Sequence, residues 1–346
     1  MSVAIDLGST EFRSLRRVGE RLFARRISAE YCVLPETPAL QRMLEQSRTP
    51  YLTSEGQLLV IGPHAAEASE IHNMPLVPVI DRHGLPQDDP VGRQVCAAML
   101  AAILPQRSTT TIQHLTPCFV TLPADAEPDS ATGLFFQRLL RLQGYALRPI
   151  QSGTALVISS MAYQGYSGLG ICFGAESVSC CLSQHGIPQW QTTFLGGANH
   201  PEKAFARAKG NFLHDREGNR YLDLQPVRAL VSSNHFSLSR NGQGDAEILA
   251  TYYRSWLTEV ANHLAAELRG MGLLRSFPMP VVLSGGPVQI NGFAAVFAQM
   301  CREYQLPLDA AQISVTSSDR FTVARGALIL GLLNAEQPGI TLEAAA

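Results

Sequence analysis

The chain has 346 residues, a hydrophobic fraction of 46% and a formal net charge of −2. This length and composition exclude a disordered chain and suit a globular protein of two ordinary domains. The near-neutral charge gives no electrostatic reason to expect a nucleic acid or an anionic membrane surface as a partner.

Apolar runs and helical periodicity alternate along the chain. Strands are predicted at 3–7, 27–34, 58–62, 117–122, 169–173, 177–182, 187–194, 280–284 and 312–316. Helices are predicted between them at 90–104, 131–143, 153–163, 247–270, 290–304 and 321–334. Strands interleaved with helices of this length indicate an α/β architecture, with mixed sheets flanked by helices.

The elements fall into two similar halves, each of which opens with strands that carry a glycine turn. Residues 1–145 are predicted as a first lobe and residues 146–334 as a second lobe, followed by a tail at 335–346 that we expect to fray. The polar segment 206–245 is interpreted as a small insertion in the second lobe, with a hairpin turn at 215–219.

The cysteines and the start of the chain indicate a reduced, cytoplasmic protein. The count of seven is odd and no CxxC spacing occurs, so we predict neither a disulfide framework nor a zinc site. Val3 opens the first strand with no basic region ahead of it, so we expect no signal peptide and no amphipathic membrane anchor. No apolar run reaches the roughly 18 residues of a membrane span.

Four short segments carry most of the functional information. Each is an apolar strand that runs into glycines, hydroxyl residues or a proline: IDLGST at 5–10, CFVTLP at 118–123, ICFGAES at 171–177 and VVLSGGP at 281–287. In the first, the strand can place the Asp6 carboxylate near a metal-bound phosphate while backbone N–H groups and hydroxyls face the phosphate oxygens. Alone, this pattern is also an ordinary hairpin signal.

In this order and spacing the chain resembles the actin/Hsp70/sugar-kinase superfamily, and within it the bacterial actin homologue MreB. The four segments match the phosphate-1, connect-1, phosphate-2 and adenosine motifs, and residues 322–327 match connect-2. The resemblance spans about residues 3–334. It implies an actin-like (ribonuclease H-like) two-lobed fold with a reduced small subdomain in the second lobe.

The resemblance also implies a cleft for ATP or ADP with Mg²⁺. The residues that it assigns to the nucleotide are Asp6, Gly8, Ser9, Thr10, Gly174, Ser177, Gly285 and Gly286. Asp6 matches the carboxylate that holds Mg²⁺ through water. Gly285 and Gly286 match the glycines that let the backbone approach the adenosine, because a side chain there would fill the nucleotide's space. The alternative for this pair is a strand-to-helix turn with no ligand.

The second phosphate turn departs from the MreB pattern Asp-x-Gly-Gly-Gly-Thr. Cys172 stands where the second carboxylate is expected, and a thiol is a poor ligand for a hard cation. Glu176 replaces the third glycine, and a carboxylate about 4 Å from a phosphate oxygen would be repelled by roughly 4 kcal/mol at an effective dielectric near 20. Either Glu176 turns away or the triphosphate site is lost.

The residues expected to activate water are also missing. MreB-like proteins carry an acid at the start of the helix after connect-1, where this chain has Ala131 or Thr132, and Asp129 nearby is explained as the helix cap. The later acidic pair of MreB is replaced at 151–153. No catalytic residue is assigned, and we expect ATP hydrolysis to be weak or absent.

Two further groups of charged residues are expected to be solvated. MreB draws a Glu and a Lys from its small subdomain to the ribose and purine, but Glu202 and Lys203 precede the insertion and are interpreted as solvated residues at a helix start. The arginines between 13 and 26 are interpreted as a solvated face of the first hairpin.

Three functions remain open from the sequence. The first is a cytoplasmic scaffold or filament subunit that self-associates head-to-tail and binds ATP or ADP, or no nucleotide if its cleft is fully degenerate. The second is an active ATPase or small-molecule kinase, although no base Asp facing an acceptor stands out. The third is an Hsp70-like chaperone module, which is less expected because the sequence ends near 346, before a substrate-binding domain.

Overall fold

The computed structural model describes residues 2–81, 84–85, 89–105, 115–215, 217–239, 243–271, 279–306, 308–317 and 319–336. The last ten residues of the predicted tail and Arg216 of the predicted hairpin turn lie outside this range. Within the described residues, no helix is both long and apolar enough to serve as a membrane span.

The predicted strands and helices are present, and the structure adds elements that were not predicted, including two eight-residue strands and an eleven-residue helix. The strands are β1 (Ser2–Leu7), β2 (Glu11–Val18), β3 (Arg21–Ser28), β4 (Glu30–Pro35), β5 (Tyr51–Ser54), β6 (Gln57–Ile61), β7 (Leu76–Pro78), β8 (Thr116–Thr121), β9 (Tyr145–Pro149), β10 (Gly168–Phe173), β11 (Ser177–Gln184), β12 (Ile187–Leu195), β13 (Phe212–His214), β14 (Arg220–Leu222), β15 (Met279–Ser284) and β16 (Leu308–Val315). The helices are α1 (Pro38–Gln46), α2 (His64–His72), α3 (Pro90–Ile103), α4 (Ala131–Leu142), α5 (Ser152–Ser160), α6 (Asn199–Lys209), α7 (Gln225–Val231), α8 (Asp245–Gly270), α9 (Phe293–Glu303) and α10 (Thr322–Glu336).

Two five-stranded mixed sheets form the two lobes, and they share one strand order. The first sheet runs β3-β2-β1-β8-β9 and the second runs β12-β11-β10-β15-β16. In each, the first three strands form an antiparallel meander and the last two pair parallel to it. The turns β1–β2 and β10–β11 therefore occupy the same place in the two sheets.

Each lobe has its own apolar core. In the second lobe, α8 buries a stripe that includes Trp256 and Leu264, as its four-residue periodicity predicts. Edge-to-face ring contacts join Phe173 to Trp256, with 5.8 Å between centroids, and to Phe293, with 4.9 Å. This packing fixes the end of β10, where the second glycine turn begins.

Two helices pass between the lobes. The helix α5 follows β9 of the first sheet but packs against β10 and β11 of the second, and α10 follows β16 but packs against β1 and β8. The two helices also pack against each other. Gly326 permits this close approach, because a Cβ there would lie 1.8 Å from the carbonyl oxygen of Ala155.

Several elements differ from the prediction. The strand predicted at 27–34 is two strands, because at Ala29 the chain leaves the first sheet and enters a separate four-stranded sheet, β5-β6-β4-β7. The segment 206–245 contains the predicted hairpin, formed by β13 and β14, but it also contains α7. This helix carries neither a Glu nor a Lys.

Candidate functional site

A cleft of about 710 Å³ lies between the two lobes, a volume within the range of roughly 300–1,000 Å³ that ligand pockets occupy. All the residues that the sequence assigns to a nucleotide line this cleft: Asp6, Gly8, Ser9, Thr10, Gly174, Ser177, Gly285 and Gly286. They meet because the two glycine turns hold equivalent positions in two facing sheets. Their role in binding stays a prediction.

Asp6 lies at the base of the first turn and is 8% exposed. Its Oδ1 accepts a hydrogen bond of 2.8 Å from the Thr121 hydroxyl, on the neighbouring strand β8. Its Oδ2 accepts a bond of 2.8 Å from Arg13 Nη1, since Asp6 and Arg13 are direct cross-strand partners on β1 and β2. Both carboxylate oxygens are thus already engaged, one of them by a cation of the chain.

Arg13 is the centre of a charged network at this end of the cleft. Its Nη2 and Nε donate to Glu11 Oε2 at 3.0 and 3.1 Å. The other oxygen of Glu11 accepts from Arg26 at 2.6 Å and from Arg320 of the second lobe at 2.8 Å. Burial acts to raise the pKa of Glu11, but Arg13, Arg320 and Arg26 together hold it below its usual value. The expectation of a solvated arginine face is therefore wrong for Arg13.

Cys172 occupies the position of the second expected carboxylate and also lines the cleft. Burial, with Asp125 and Asp6 nearby, raises the pKa of Cys172 well above its usual value, so the side chain remains a neutral thiol. No group of three or more His, Cys, Asp or Glu side chains in the described part of the chain could hold a metal ion. Mg²⁺ prefers oxygen ligands, and here one of the two expected carboxylates is a neutral thiol while the other, Asp6, is already bound by Arg13. The donor set around Asp6 does not fit Mg²⁺ for this reason.

Glu176 is turned away from the cleft and is 4% exposed. Its Oε1 accepts bonds from Asn199 Nδ2 at 2.7 Å and from Lys203 Nζ at 2.5 Å, both on α6. The turn is held in place by backbone bonds, from Gly174 N to Ser177 O and from Ala198 N to Gly174 O. Of the two outcomes expected for Glu176, the first applies, and its repulsion with a phosphate is avoided. Lys203 is a partner of a buried acid, so the expectation that it is solvated is wrong.

Glu202 is also buried, against expectation, at 7% exposure, and it lines the cleft. Its Oε1 accepts a bond of 2.7 Å from the Tyr253 hydroxyl. Burial raises the pKa of Glu202. A sequence signal for this burial exists, because Glu202 shares its face of α6 with the buried Phe205 and Ala206 at helical spacing.

Polar contacts close the far side of the cleft across the lobes. Arg228 on α7 donates to Glu30 on β4 at 2.7 Å. Gln225 at the start of the same helix donates to the hydroxyl of Ser69 on α2 at 2.9 Å. Together with the Arg320–Glu11 pair, these contacts bridge the two lobes on both sides of the cleft.

The two glycines of the adenosine motif differ in what they require. Gly285 has φ +113°, and a Cβ there would lie 1.9 Å from the carbonyl oxygen of Phe173. The protein backbone itself thus requires this glycine. A Cβ at Gly286 would meet no atom within 4 Å, and the residue lines the cleft. A strand-to-helix turn without a ligand explains why residue 285 is glycine, but it does not explain why residue 286 is glycine.

The region expected to carry a water-activating acid lies elsewhere. The cap of α4 is Ser130, whose Oγ accepts a bond of 3.1 Å from Gly133 N, and Asp129 is exposed. The assignment of Asp129 as the cap is therefore wrong by one residue. Thr132 is buried near Gly84, and no residue from 127 to 132 lines the cleft.

The sequence interpretation missed Asp125, a carboxylate that joins the two lobes. It follows β8, and its Oδ1 accepts bonds from the backbone N and the hydroxyl of Ser152, at 2.9 and 2.8 Å. Its Oδ2 accepts from the Thr193 hydroxyl at 3.0 Å. Burial raises the pKa of Asp125. No local pattern marks this residue, because its partners lie on distant segments.

The described carboxylates that line the cleft all have partners. Asp6, Glu11, Glu30 and Asp319 accept bonds from arginines, and Glu202 accepts one from a tyrosine. A water molecule would have to compete with these donors for a place beside each carboxylate, so none of them is free to orient a water for attack.

Comparison with known proteins identifies the family of the chain and proteins of similar fold. Residues 1–330 match the family model described as Volactin, and no curated protein matches the chain. The fold is similar to that of the MamK double helical filament, with a TM-score of 0.68 and 15% identity over 97% of this chain and 99% of that chain.

Two further solved structures are similar over nearly the whole chain. MreB5 of Spiroplasma citri bound to AMPPNP has a TM-score of 0.65 and 11% identity, covering 96% of both chains. The ethanolamine utilization protein EutJ from Carboxydothermus hydrogenoformans has a TM-score of 0.52 and 11% identity, covering 95% of this chain and 89% of that chain. These similarities confirm the expected actin-like two-lobed fold.

Proposed function

The chain belongs to the Volactin family, and from this premise we propose that it is a subunit of an actin-like filament or scaffold that binds an adenine nucleotide between its lobes. We propose also that it hydrolyses this nucleotide weakly or not at all. The observation that carries the proposal is the convergence of two glycine turns and the Gly285–Gly286 turn on one cleft.

Two observations support the nucleotide. The protein itself leaves room for a side chain at position 286, so the glycine there is explained by a ligand that occupies this space. The withdrawal of Glu176 toward Lys203 leaves the second phosphate turn without a negative side chain. MreB5, one of the proteins of similar fold, has been solved with AMPPNP and with ADP.

The self-association is supported by the fold and by one neighbour. MamK, of similar fold, is described as a double helical filament. Two-lobed subunits that contact head-to-tail generate open filaments when the rotation between subunits does not close. Two observations support weak turnover. The carboxylates that line the cleft are paired, and no acid from residues 127–132 lies among the residues that line it.

The experiment combines an assembly assay with a turnover assay. Pelleting and negative-stain microscopy of the protein with ATP, with ADP and without nucleotide measure filament formation, and phosphate release measures turnover. We expect filaments and little phosphate release. A protein that stays monomeric in all three conditions refutes the filament, and rapid phosphate release or transfer to a small acceptor favours an ATPase or a kinase.

A pair of glycine variants tests the position of the nucleotide. Gly286→Ala places a methyl group in the cleft and should weaken nucleotide binding by about 1–3 kcal/mol, the usual cost of overpacking. Gly270→Ala at the end of α8 is the matched control, because a Cβ there also meets no atom within 4 Å but faces no cleft. Equal affinity of the two variants in calorimetric titration would contradict the proposed position.

A further inference from the structure

We infer that the cleft binds the phosphate chain of a nucleoside di- or triphosphate without a divalent cation, and that the Arg13 guanidinium takes the place beside Asp6 that a metal would occupy. The inference rests on the proposed nucleotide function and specifies how that ligand is held. It follows from the disagreement between the donor set at this end of the cleft and the requirements of Mg²⁺.

Both carboxylate oxygens of Asp6 are already engaged by donors of the chain. Its two oxygens accept from Thr121 and Arg13 at 2.8 Å each, so a water-bound cation would have to displace the guanidinium from its carboxylate. Arg13 in turn is fixed by Glu11 through two further N–H groups. Charge-assisted bonds of this kind are strong and geometrically specific, and a guanidinium stays charged at any physiological pH.

Carboxylates and guanidiniums form one network at this end of the cleft. Two carboxylates, Asp6 and Glu11, face three guanidiniums, those of Arg13, Arg26 and Arg320. Within this group the guanidiniums outnumber the carboxylates by three to two; the third, Arg26, is half exposed and does not line the cleft. Arg13 and Arg320 both line the cleft, where an anion can reach them.

The Arg13 guanidinium lies close to the first phosphate turn. Arg13 Nη1 lies 3.6 Å from the position that a Cβ on Gly8 would occupy, so the guanidinium lies against the first phosphate turn. Three of its five N–H donors are used by Asp6 and Glu11, which leaves two for phosphate oxygens. A phosphate in this turn would thus meet backbone N–H groups and a fixed cation without any metal.

The test measures binding of ADP and ATP to the full chain by calorimetry, in EDTA and in MgCl₂. We expect equal dissociation constants in the two buffers. Arg13→Gln should weaken binding in EDTA by about 10- to 100-fold, the loss of a hydrogen bond to a charged group. Arg17→Gln is the matched control, because Arg17 lies four residues along the same strand, exposed and outside the cleft.

The Asp6→Asn variant distinguishes a metal-free site from a site in which Asp6 holds Mg²⁺. If Asp6 only positions Arg13, the amide keeps a hydrogen-bonding group beside Arg13 and Thr121, and affinity in EDTA is retained or increased. If Asp6 holds a metal, the variant loses the Mg²⁺-dependent affinity. This comparison does not depend on whether Arg13→Gln folds.

The outcomes separate this inference from the proposed function. Binding that requires Mg²⁺, or an Arg13→Gln variant that folds and binds normally in EDTA, overturns the metal-free site alone. Absence of ADP and ATP binding in both buffers overturns the nucleotide function and this inference with it.

Discussion

Replacement of Lys203 by methionine should destabilise the second lobe strongly. Lys203→Met keeps the length of the side chain but removes the ammonium that lies 2.5 Å from Glu176 Oε1. Because Glu176 is only 4% exposed, its charge cannot recover water. Breaking a buried ion pair costs about 3–5 kcal/mol, and the remaining bond from Asn199 offsets about 1 kcal/mol of this. We expect a loss of about 2–4 kcal/mol.

Differential scanning calorimetry measures this loss. For a lobe of ordinary size, such a change lowers Tm by roughly 5–15 °C. Lys209→Met is the matched control, because Lys209 lies on the same helix and also has an acidic partner at 2.5 Å, Asp245, but that side chain is 58% exposed. Exposed pairs contribute about 0–1 kcal/mol, so the control should melt close to the unmodified protein.

The double variant Glu176→Gln with Lys203→Met separates lost packing from lost charge. It removes both charges, and its Tm should lie above that of Lys203→Met alone, because no uncompensated buried carboxylate remains. If Lys203→Met and Lys209→Met melted at the same temperature, Glu176 would not depend on Lys203, and the account of why it leaves the phosphate turn would be wrong.

Three other predictions concern the turn at Gly285, the contact of Arg228 with Glu30 across the lobes and the buried Asp125. Gly285→Ala should lower the stability by about 2–4 kcal/mol in thermal unfolding, because its φ and its contact with a carbonyl exclude a Cβ, whereas Gly286→Ala should leave Tm unchanged. Arg228→Met should leave Glu30 without its cross-lobe partner, and backbone amides of α7 and β4 should then exchange hydrogen faster. Unchanged exchange in these two elements would contradict a bridging role for Arg228. Burial raises the pKa of Asp125, so the folded protein takes up this proton more readily than the unfolded chain. Stability should therefore fall as pH rises from the ordinary pKa of 3.8 through the raised value, and Asp125→Asn should gain stability relative to the unmodified protein over that window in melts at several pH values.

The sequence was sufficient for the glycine turns, and the reason is local. A strand followed by glycine and hydroxyl residues has few other structures open to it, so the positions of Gly8, Gly174 and Gly285 follow from short segments. The long stripe of α8 was equally clear, because a helix of this length repeats its apolar pattern many times.

The partners of the charged residues were harder to predict, for reasons that differ between cases. The Asp6–Arg13 pair follows from the hairpin register once the turn is placed at residues 8–11, since cross-strand residues are then fixed. The Glu176–Lys203 pair joins residues 27 apart in sequence, through the packing of α6 on the second turn, and no local pattern contains that information. The cap of α4 was missed by one residue because Asp129 and Ser130 are both good capping residues.

The path of α5 and α10 has a consequence for how the protein is made. Once residues 1–149 have left the ribosome, all five strands of the first sheet exist, but the helix that covers β1 and β8 begins only at Thr322. Until α10 emerges, apolar side chains such as Leu15 and Phe119 lack the packing that Ala324, Ala327 and Leu328 supply on that face. Vectorial synthesis therefore cannot complete the packing of the first lobe until residues 322–336 are present.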